Sequence, residues 1–254
     1  MIRSFGISEV GPVRTNNEDC AFSDDSLALY VVADGMGGHA AGEVAAHLAV
    51  EAIQDFIRRS QSPDDDITWP HGIDPTLSAA GNRVRTAIQL ANRSIYDTAQ
   101  RQADYHGMGT TVVCALATAT TVTVGHVGDS RLYLFSRGRL IPQTQDDTWV
   151  AAMLGEGEPV GVSLAEHPMR NVLTNVLGTG DFTEIHISEL GLSPGDMLLL
   201  STDGVHGVVD DDTLCELMSQ KGTLEEIARS LIAMSVQRGT RDNVTVVVVR
   251  YEDR

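Results

Sequence analysis

Cysteine is scarce in this chain, and the few present do not pair. Cys20, Cys114 and Cys215 are odd in number, far apart and free of any Cys-x-x-Cys motif. That spacing argues against a disulfide framework and a structural zinc site, and it fits a reducing compartment. Long apolar runs are lacking too: none reaches the roughly 18 residues of a membrane span. The start, Met1-Ile-Arg-Ser-Phe-Gly6, has no secretory apolar region. The expectation is a cytoplasmic protein, complete as it stands. Basic residues are also short, with 18 Lys plus Arg against 35 Asp plus Glu, a formal charge of −17. Such a charge repels nucleic acid and anionic membrane, so neither is an expected partner. It also leaves the acids without enough basic residues to neutralise them.

What is present is a globular composition. Of 254 residues, 42% are hydrophobic, enough for a sizeable core. Period-two or continuous apolar runs predict strands over 3–8, 27–33, 111–117, 121–127, 131–135, 184–190, 197–201 and 244–251. Helical spacing covers 42–59, about 77–102, about 148–154, 212–219 and 224–237. The runs 111–117, 121–127 and 131–135 are joined by three or four residues. Links that short predict antiparallel pairing of neighbours. Antiparallel sheet with segregated helices means α+β, with two sheets and helices packed outside. The polar, proline-bearing stretch 60–75 reads as a surface loop between two helices rather than a linker. With no internal repeat, one domain is expected.

Four aspartates share a setting. Leu27–Ala33 runs into Asp34-Gly35, Val122–Val127 into Gly128-Asp129, Met197–Ser201 into Thr202-Asp203-Gly204, and Asp242-Asn243 leads into Val244–Val249. In an antiparallel sheet one strand's end lies beside its neighbour's start, so all four carboxylates can share a rim. Clustered, partly buried carboxylates need protons or cations. Arg131 and Arg241 are a thin supply, and hard divalent ions, Mg²⁺ or Mn²⁺, prefer oxygen ligands. A lone Asp-Gly is usually a turn, but that reading weakens with each repetition.

The segment Asp34-Gly-Met-Gly-Gly-His-Ala-Ala-Gly42 also fits Gly-x-Gly-x-x-Ala from Gly35. A dinucleotide site requires a second strand soon after the helix, and Ser60-Gln-Ser-Pro-Asp-Asp-Asp66 makes none. There is no Gly-Lys-Ser/Thr for a phosphate loop. The glycines fit better if backbone approaches a metal, with the Gly35 carbonyl as a ligand.

Taken in order, Gly11-Pro-Val-Arg14-Thr-Asn-Asn-Glu18-Asp19, Asp34-Gly-Met-Gly-Gly-His39, Gly109-Thr-Thr111, Gly128-Asp-Ser-Arg131, Thr202-Asp-Gly204 and Gly239-Thr-Arg-Asp-Asn243 resemble the bacterial metal-dependent serine/threonine protein phosphatases of the protein phosphatase 2C type. The resemblance spans Gly6 to Val249. It implies a four-layer α-β-β-α sandwich, one catalytic domain over residues 1–254, and a flap at about 143–180 beside the site. It implies hydrolysis of phosphoserine and phosphothreonine in proteins by a metal-bridged hydroxide, reversing a bacterial Ser/Thr kinase. The cofactors would be two Mn²⁺ or Mg²⁺ ions with an optional third. Asp34 would bridge two metals with the Gly35 carbonyl on the second. Asp203 and Asp242 would complete the first site, and Asp129 with Asp203 would hold the third ion. Glu18 and Asp19 would act behind them through water, and Arg14 would bind the substrate phosphate as a fork. Asn243, closing the last motif, is a further candidate.

The chain departs from the family at several places. Met36 stands where many eukaryotic relatives carry a His proposed as general acid. His39, a lone histidine ahead of a helix, reads as structural before catalytic. Asp146-Asp147-Thr148-Trp149 replaces a common Asp-His-Ser-Trp, and Cys20 replaces a serine. The expected partner is a phosphorylated protein, a kinase or its target, met by a monomer. The alternatives are a non-catalytic phosphoprotein-binding scaffold of the same fold, and the relative that dephosphorylates anti-anti-sigma factors.

Overall fold

Alternation along the strands sorts side chains onto two faces, and both faces are buried. The computed structural model describes residues 1–38, 41–61, 68–155, 169 and 172–252. In chain order they form β1 (Ile2–Glu9), β2 (Asp19–Asp24), β3 (Leu29–Met36), α1 (Ala41–Gln61), α2 (Ala79–Arg101), β4 (Gly109–Thr110), β5 (Val112–Ala117), β6 (Thr121–Val127), β7 (Arg131–Ser136) and β8 (Arg139–Pro142). There follow α3 (Trp149–Gly155), β9 (His186–Gly191), β10 (Met197–Ser201), α4 (Asp203–His206), α5 (Asp211–Met218), α6 (Leu224–Gln237) and β11 (Val244–Tyr251). One sheet runs β1-β11-β10-β7-β8, the other β2-β3-β5-β6-β9 with β4 beside β3, and every pairing is antiparallel.

Three apolar layers follow from the alternation. On β3, Leu29, Val31 and Ala33 face the alanine- and isoleucine-rich sides of α1 and α2, while Tyr30 and Val32 face the opposite sheet. On β11, Val244, Val246 and Val248 pack under α4 to α6, while Val247 and Val249 point between the sheets. The result is the expected α-β-β-α sandwich. Helix ends obey local chemistry. Asp210 caps α5 by accepting from the Thr213 N–H at 2.8 Å, and Thr223 with Glu226 forms a capping box on α6.

Two expectations need correction. The runs 121–127 and 131–135 do not pair: β6 lies in one sheet, and β7 pairs with β10 in the other. The three-residue link crosses between sheets, and it can because Gly128 takes φ +96 where a Cβ would stand 2.6 Å from Thr111 Cγ2. Nor does β3 end at Ala33. It continues through Asp34, Gly35 and Met36, because β4 pairs with it there. The sequence also gives no warning of β2, whose Asp19-Cys-Ala-Phe-Ser-Asp begins and ends on acids, or of β8, four residues at an edge ending in Pro142. In the stretch 60–75, α1 runs on to Gln61, and residues 62–67 lie outside the described residues.

Candidate metal centre

The aspartates converge, but from two sheets. Asp34 lies near the end of β3 and Asp129 follows β6, both in the second sheet. Asp203 follows β10 and Asp242 precedes β11, both in the first. All four line one cleft of about 330 Å³, together with Arg14, Glu18, Gly35 and Asn243. The shared rim is therefore the common end of a sandwich: β10 and β11 are neighbours in one sheet, and β3 and β6 flank β5 in the other.

The backbone of Asp34 is held on both sides. Its N–H donates to Thr111 Oγ1 at 3.1 Å, and its carbonyl accepts from the Thr111 N–H at 2.9 Å and Thr110 Oγ1 at 2.8 Å. The sequence motif contained both threonines without assigning them this work. Gly35 packs so tightly that a Cβ would lie 2.0 Å from Gly42 O and 2.6 Å from Glu18 O. Asn243 ties the N-terminal loop to the rim. Its Nδ2 donates to Val10 O at 2.9 Å and Asn16 O at 2.8 Å, and its Oδ1 accepts from the Glu18 N–H at 2.9 Å. That loop carries Arg14, whose Nη2 meets Asp242 Oδ2 at 2.8 Å.

The electrostatics show unmet negative charge. Burial, then the neighbouring Asp19, Asp203 and Asp129 carboxylates, hold Asp34 well above the usual carboxylate range. Burial, and behind it Asp203, pushes Asp19 and Asp129 up to about 7. Asp203 is raised by burial and then by Asp242, and Glu18 by burial. Asp19 is 4% exposed, and its Oδ1, like Asp203 Oδ1, has no hydrogen-bond partner. Arg14 stays firmly charged through its bond to Asp242. Arg131 is bonded to Asp146 rather than to a rim carboxylate, at 2.8 and 2.7 Å, and it reaches Asp129 only through its field, which is the smallest influence there. Arg241 is exposed and outside the cleft.

These observations fit hard divalent cations. The donors are all oxygen, the carboxylates outnumber the local positive charge, and two buried oxygens are orphaned. Among the described residues, no three acidic, imidazole or thiol groups already enclose a single point. Of the residues singled out from sequence, Arg14, Glu18, Asp34, Gly35, Asp129, Asp203, Asp242 and Asn243 come together. Asp19 lies just behind, accepting from Thr202 Oγ1 at 2.9 Å. His39 lies outside the described residues. Sequence reasoning gave no role to Leu173, which lines the cleft from the far side of the chain. Met36 also lines it, and a thioether has no proton to give a leaving group.

The profile described as Protein phosphatase 2C matches residues 14–240. The chain belongs to the protein phosphatase 2C family. Among its relatives is the serine/threonine protein phosphatase PstP of Mycobacterium tuberculosis H37Rv, 35% identical over 253 residues. The match takes in 100% of this chain but 46% of PstP, so this chain spans about half the length of that relative. The serine/threonine phosphatase stp of Listeria monocytogenes EGD-e is 32% identical, over 95% of this chain and 93% of that one. The crystal structure of the PstP catalytic domain in complex with two manganese ions superposes with a TM-score of 0.81 at 33% identity, covering 99% of each chain. The sandwich here is thus the protein phosphatase 2C fold, and its carboxylate rim stands at one end of the paired sheets. The dinucleotide reading is set aside. Among the described residues α1 is followed by α2, and β3 pairs antiparallel with β5.

Proposed function

We propose that this protein phosphatase 2C chain hydrolyses phosphoserine and phosphothreonine in proteins, using Mn²⁺ or Mg²⁺. The observation that carries the reading is the rim itself: four carboxylates with too little positive charge, facing one arginine across a 330 Å³ cleft. Asp34, the Gly35 carbonyl, Asp203 and Asp242 would hold two ions, and Asp129 with Asp203 a third. Bound there, such ions lower the pKa of water to supply the nucleophile and offset charge on the phosphoryl oxygens. Arg14 keeps N–H donors beyond the one bonded to Asp242, and it presents them to two phosphate oxygens as a fork. Glu18, in the cleft lining, and Asp19, just behind it, would accept from water around the ions. Asn243 holds the Arg14 loop in register, and no described side chain is assigned as proton donor to the departing seryl or threonyl oxygen.

The same reading makes residues 1–254 one catalytic domain, acting as a monomer in a reducing cytoplasm on the product of a serine/threonine kinase. A non-catalytic scaffold accounts less well for a rim that keeps all four carboxylates. The test is hydrolysis of a phosphothreonine peptide by purified protein, before and after chelation, with Mn²⁺ or Mg²⁺ restored. Activity lost with chelator and recovered with ion is expected; turnover indifferent to chelator sinks the proposal.

A further inference from the structure

The expected flap motif departs from the family at Asp147, and among the described residues the structure gives it more side-chain partners than any other carboxylate near the cleft. Its Oδ2 accepts from the Gly128 N–H at 2.9 Å and from Asn175 Nδ2 at 2.8 Å, and its Oδ1 meets His186 Nε2 at 2.9 Å. Its backbone joins the same elements: the Asp147 N–H donates to Gly128 O at 3.0 Å, and its carbonyl accepts from the Thr174 N–H at 2.8 Å. The side chain is 14% exposed. His186 is fixed from behind by stacking on His126, with centroids 4.8 Å apart, and His126 Nε2 bonds Gln145 O at 2.9 Å. Asn175 is fully engaged, donating also to Glu184 O at 2.9 Å and accepting from Thr183 Oγ1 at 2.8 Å.

Two of the ties lead to walls of the catalytic cleft, and the third fixes Asp147 to β9. Gly128 immediately precedes Asp129 and takes the left-handed turn that swings the chain from one sheet to the other. Thr174 and Asn175 follow Leu173, which lines the cleft opposite and bridges to Thr148. The Trp149 N–H donates to Val172 O at 2.8 Å, so residues 147–149 and 172–175 form one short antiparallel ribbon. One carboxylate therefore clamps a corner of the metal rim, this ribbon and β9.

We propose that Asp147 is a positioning residue that sets the spacing between Asp129 and Leu173, and so how the polypeptide around a phosphorylated residue seats in the cleft. The inference rests on the phosphatase reading above. The clamp works through hydrogen-bond acceptance rather than charge, which gives a sharp chemical test. In Asp147→Asn the amide oxygen can accept from Gly128 and Asn175 while the NH₂ donates to His186, whose imidazole takes its other neutral tautomer. Asp147→Ala removes all three bonds.

The experiment measures kcat and KM with Mn²⁺ on a phosphothreonine peptide and on p-nitrophenyl phosphate, with amide exchange at Gly128, for wild type and both variants. Asp147→Ala is expected to lower kcat/KM on the peptide by about 10- to 100-fold, the usual scale for groups that orient a site. The loss on the small ester should be smaller, because the ester meets the ribbon only at Leu173 while a peptide extends over it, and exchange at Gly128 should accelerate. Asp147→Asn, which keeps every bond, should stay close to wild type throughout. Equal losses in both variants would show that charge, not the clamp, matters, and a wild-type-like Asp147→Ala would overturn the proposal outright. If Asp147→Ala fails to fold, Asn175→Ala, which cuts one tie, should show a smaller loss of the same peptide-selective kind, and no such loss overturns the clamp. A wild type inactive on both substrates would instead refute the phosphatase reading, while exchange at Gly128 would still report whether Asp147 holds the corner.

Discussion

At the scale of single residues, the rim sorts into groups that carry charge and groups that hold them in place. Asp34 sits at its centre, with Asp19, Asp203 and Asp129 all raising its proton affinity. Asp34→Asn removes the whole charge of a shared carboxylate and replaces one of its oxygens with NH₂ where two ions would meet, so turnover should fall at least about 100-fold and the Mn²⁺ needed for activity should rise. Near-normal turnover with metal bound would take Asp34 out of that role. Arg14→Ala should act chiefly on KM, by about 10- to 100-fold, as expected for lost bonds to a charged phosphate. Unchanged KM and kcat would remove Arg14 from the site. Asn243 makes the opposite case, as a neutral side chain with a large job. Asn243→Ala strands the Val10 and Asn16 carbonyls and the Glu18 N–H. It should cost about 2–4 kcal/mol of stability, read by denaturant unfolding, and raise KM by loosening the Arg14 loop. From sequence, Asn243 was only the tail of a motif, because its three partners lie 225 or more positions away.

At the scale of elements, strand ends and close backbone approach decide where the ligands stand. Asp34 and Gly35 lie inside β3 rather than in a turn after it, since β4 extends the pairing. The start of α1 presses on that strand so closely that Gly35→Ala would place a methyl 2.0 Å from Gly42 O, a backbone atom with no rotamer to yield. The variant should lose more than about 2 kcal/mol and bind Mn²⁺ more weakly, measured by thermal unfolding and metal titration. A variant as stable as wild type would show that α1 can slide away without consequence. The missed elements teach the same lesson. Cys20 and Phe22 on β2 pack on the α1 side while Ala21 points between the sheets, and a strand this short, begun and ended by acids, carries too few apolar residues to signal it. The β6–β7 link looked like a hairpin because length alone cannot tell a turn within a sheet from a step between sheets.

At the scale of the whole molecule, net charge and site charge act together. Burial, with Asp203 adding to it, lifts Asp19 and Asp129 to about 7, against an ordinary value near 4 in the unfolded chain. Between those two values the folded chain holds protons that the unfolded chain has released. Metal-free stability therefore falls as pH rises through that window, and the fall is complete above the folded value. In chelator the melting temperature should be higher near pH 5.5 than near pH 8, and Mn²⁺ should raise it more at the higher pH, where ions need not displace protons. A chelated protein more stable at the alkaline end would mean that these carboxylates are not charge-frustrated. No described helix is long and apolar enough to cross a membrane.

The sequence by itself determined the α+β class, most strand and helix positions, the set of acids and the family motifs in their order. Those properties are local: apolar periodicity, capping residues and short spacings act within a few residues of one another. Only the tertiary structure decided which sheet each strand joins, that the four aspartates approach from two sheets, and that Arg131 is spent on Asp146 rather than on the rim. It alone brought Asp147 against Gly128, Asn175 and His186. Those partners are set by how two twisted sheets pack face to face, and contacts made across that packing leave no periodic trace along the chain.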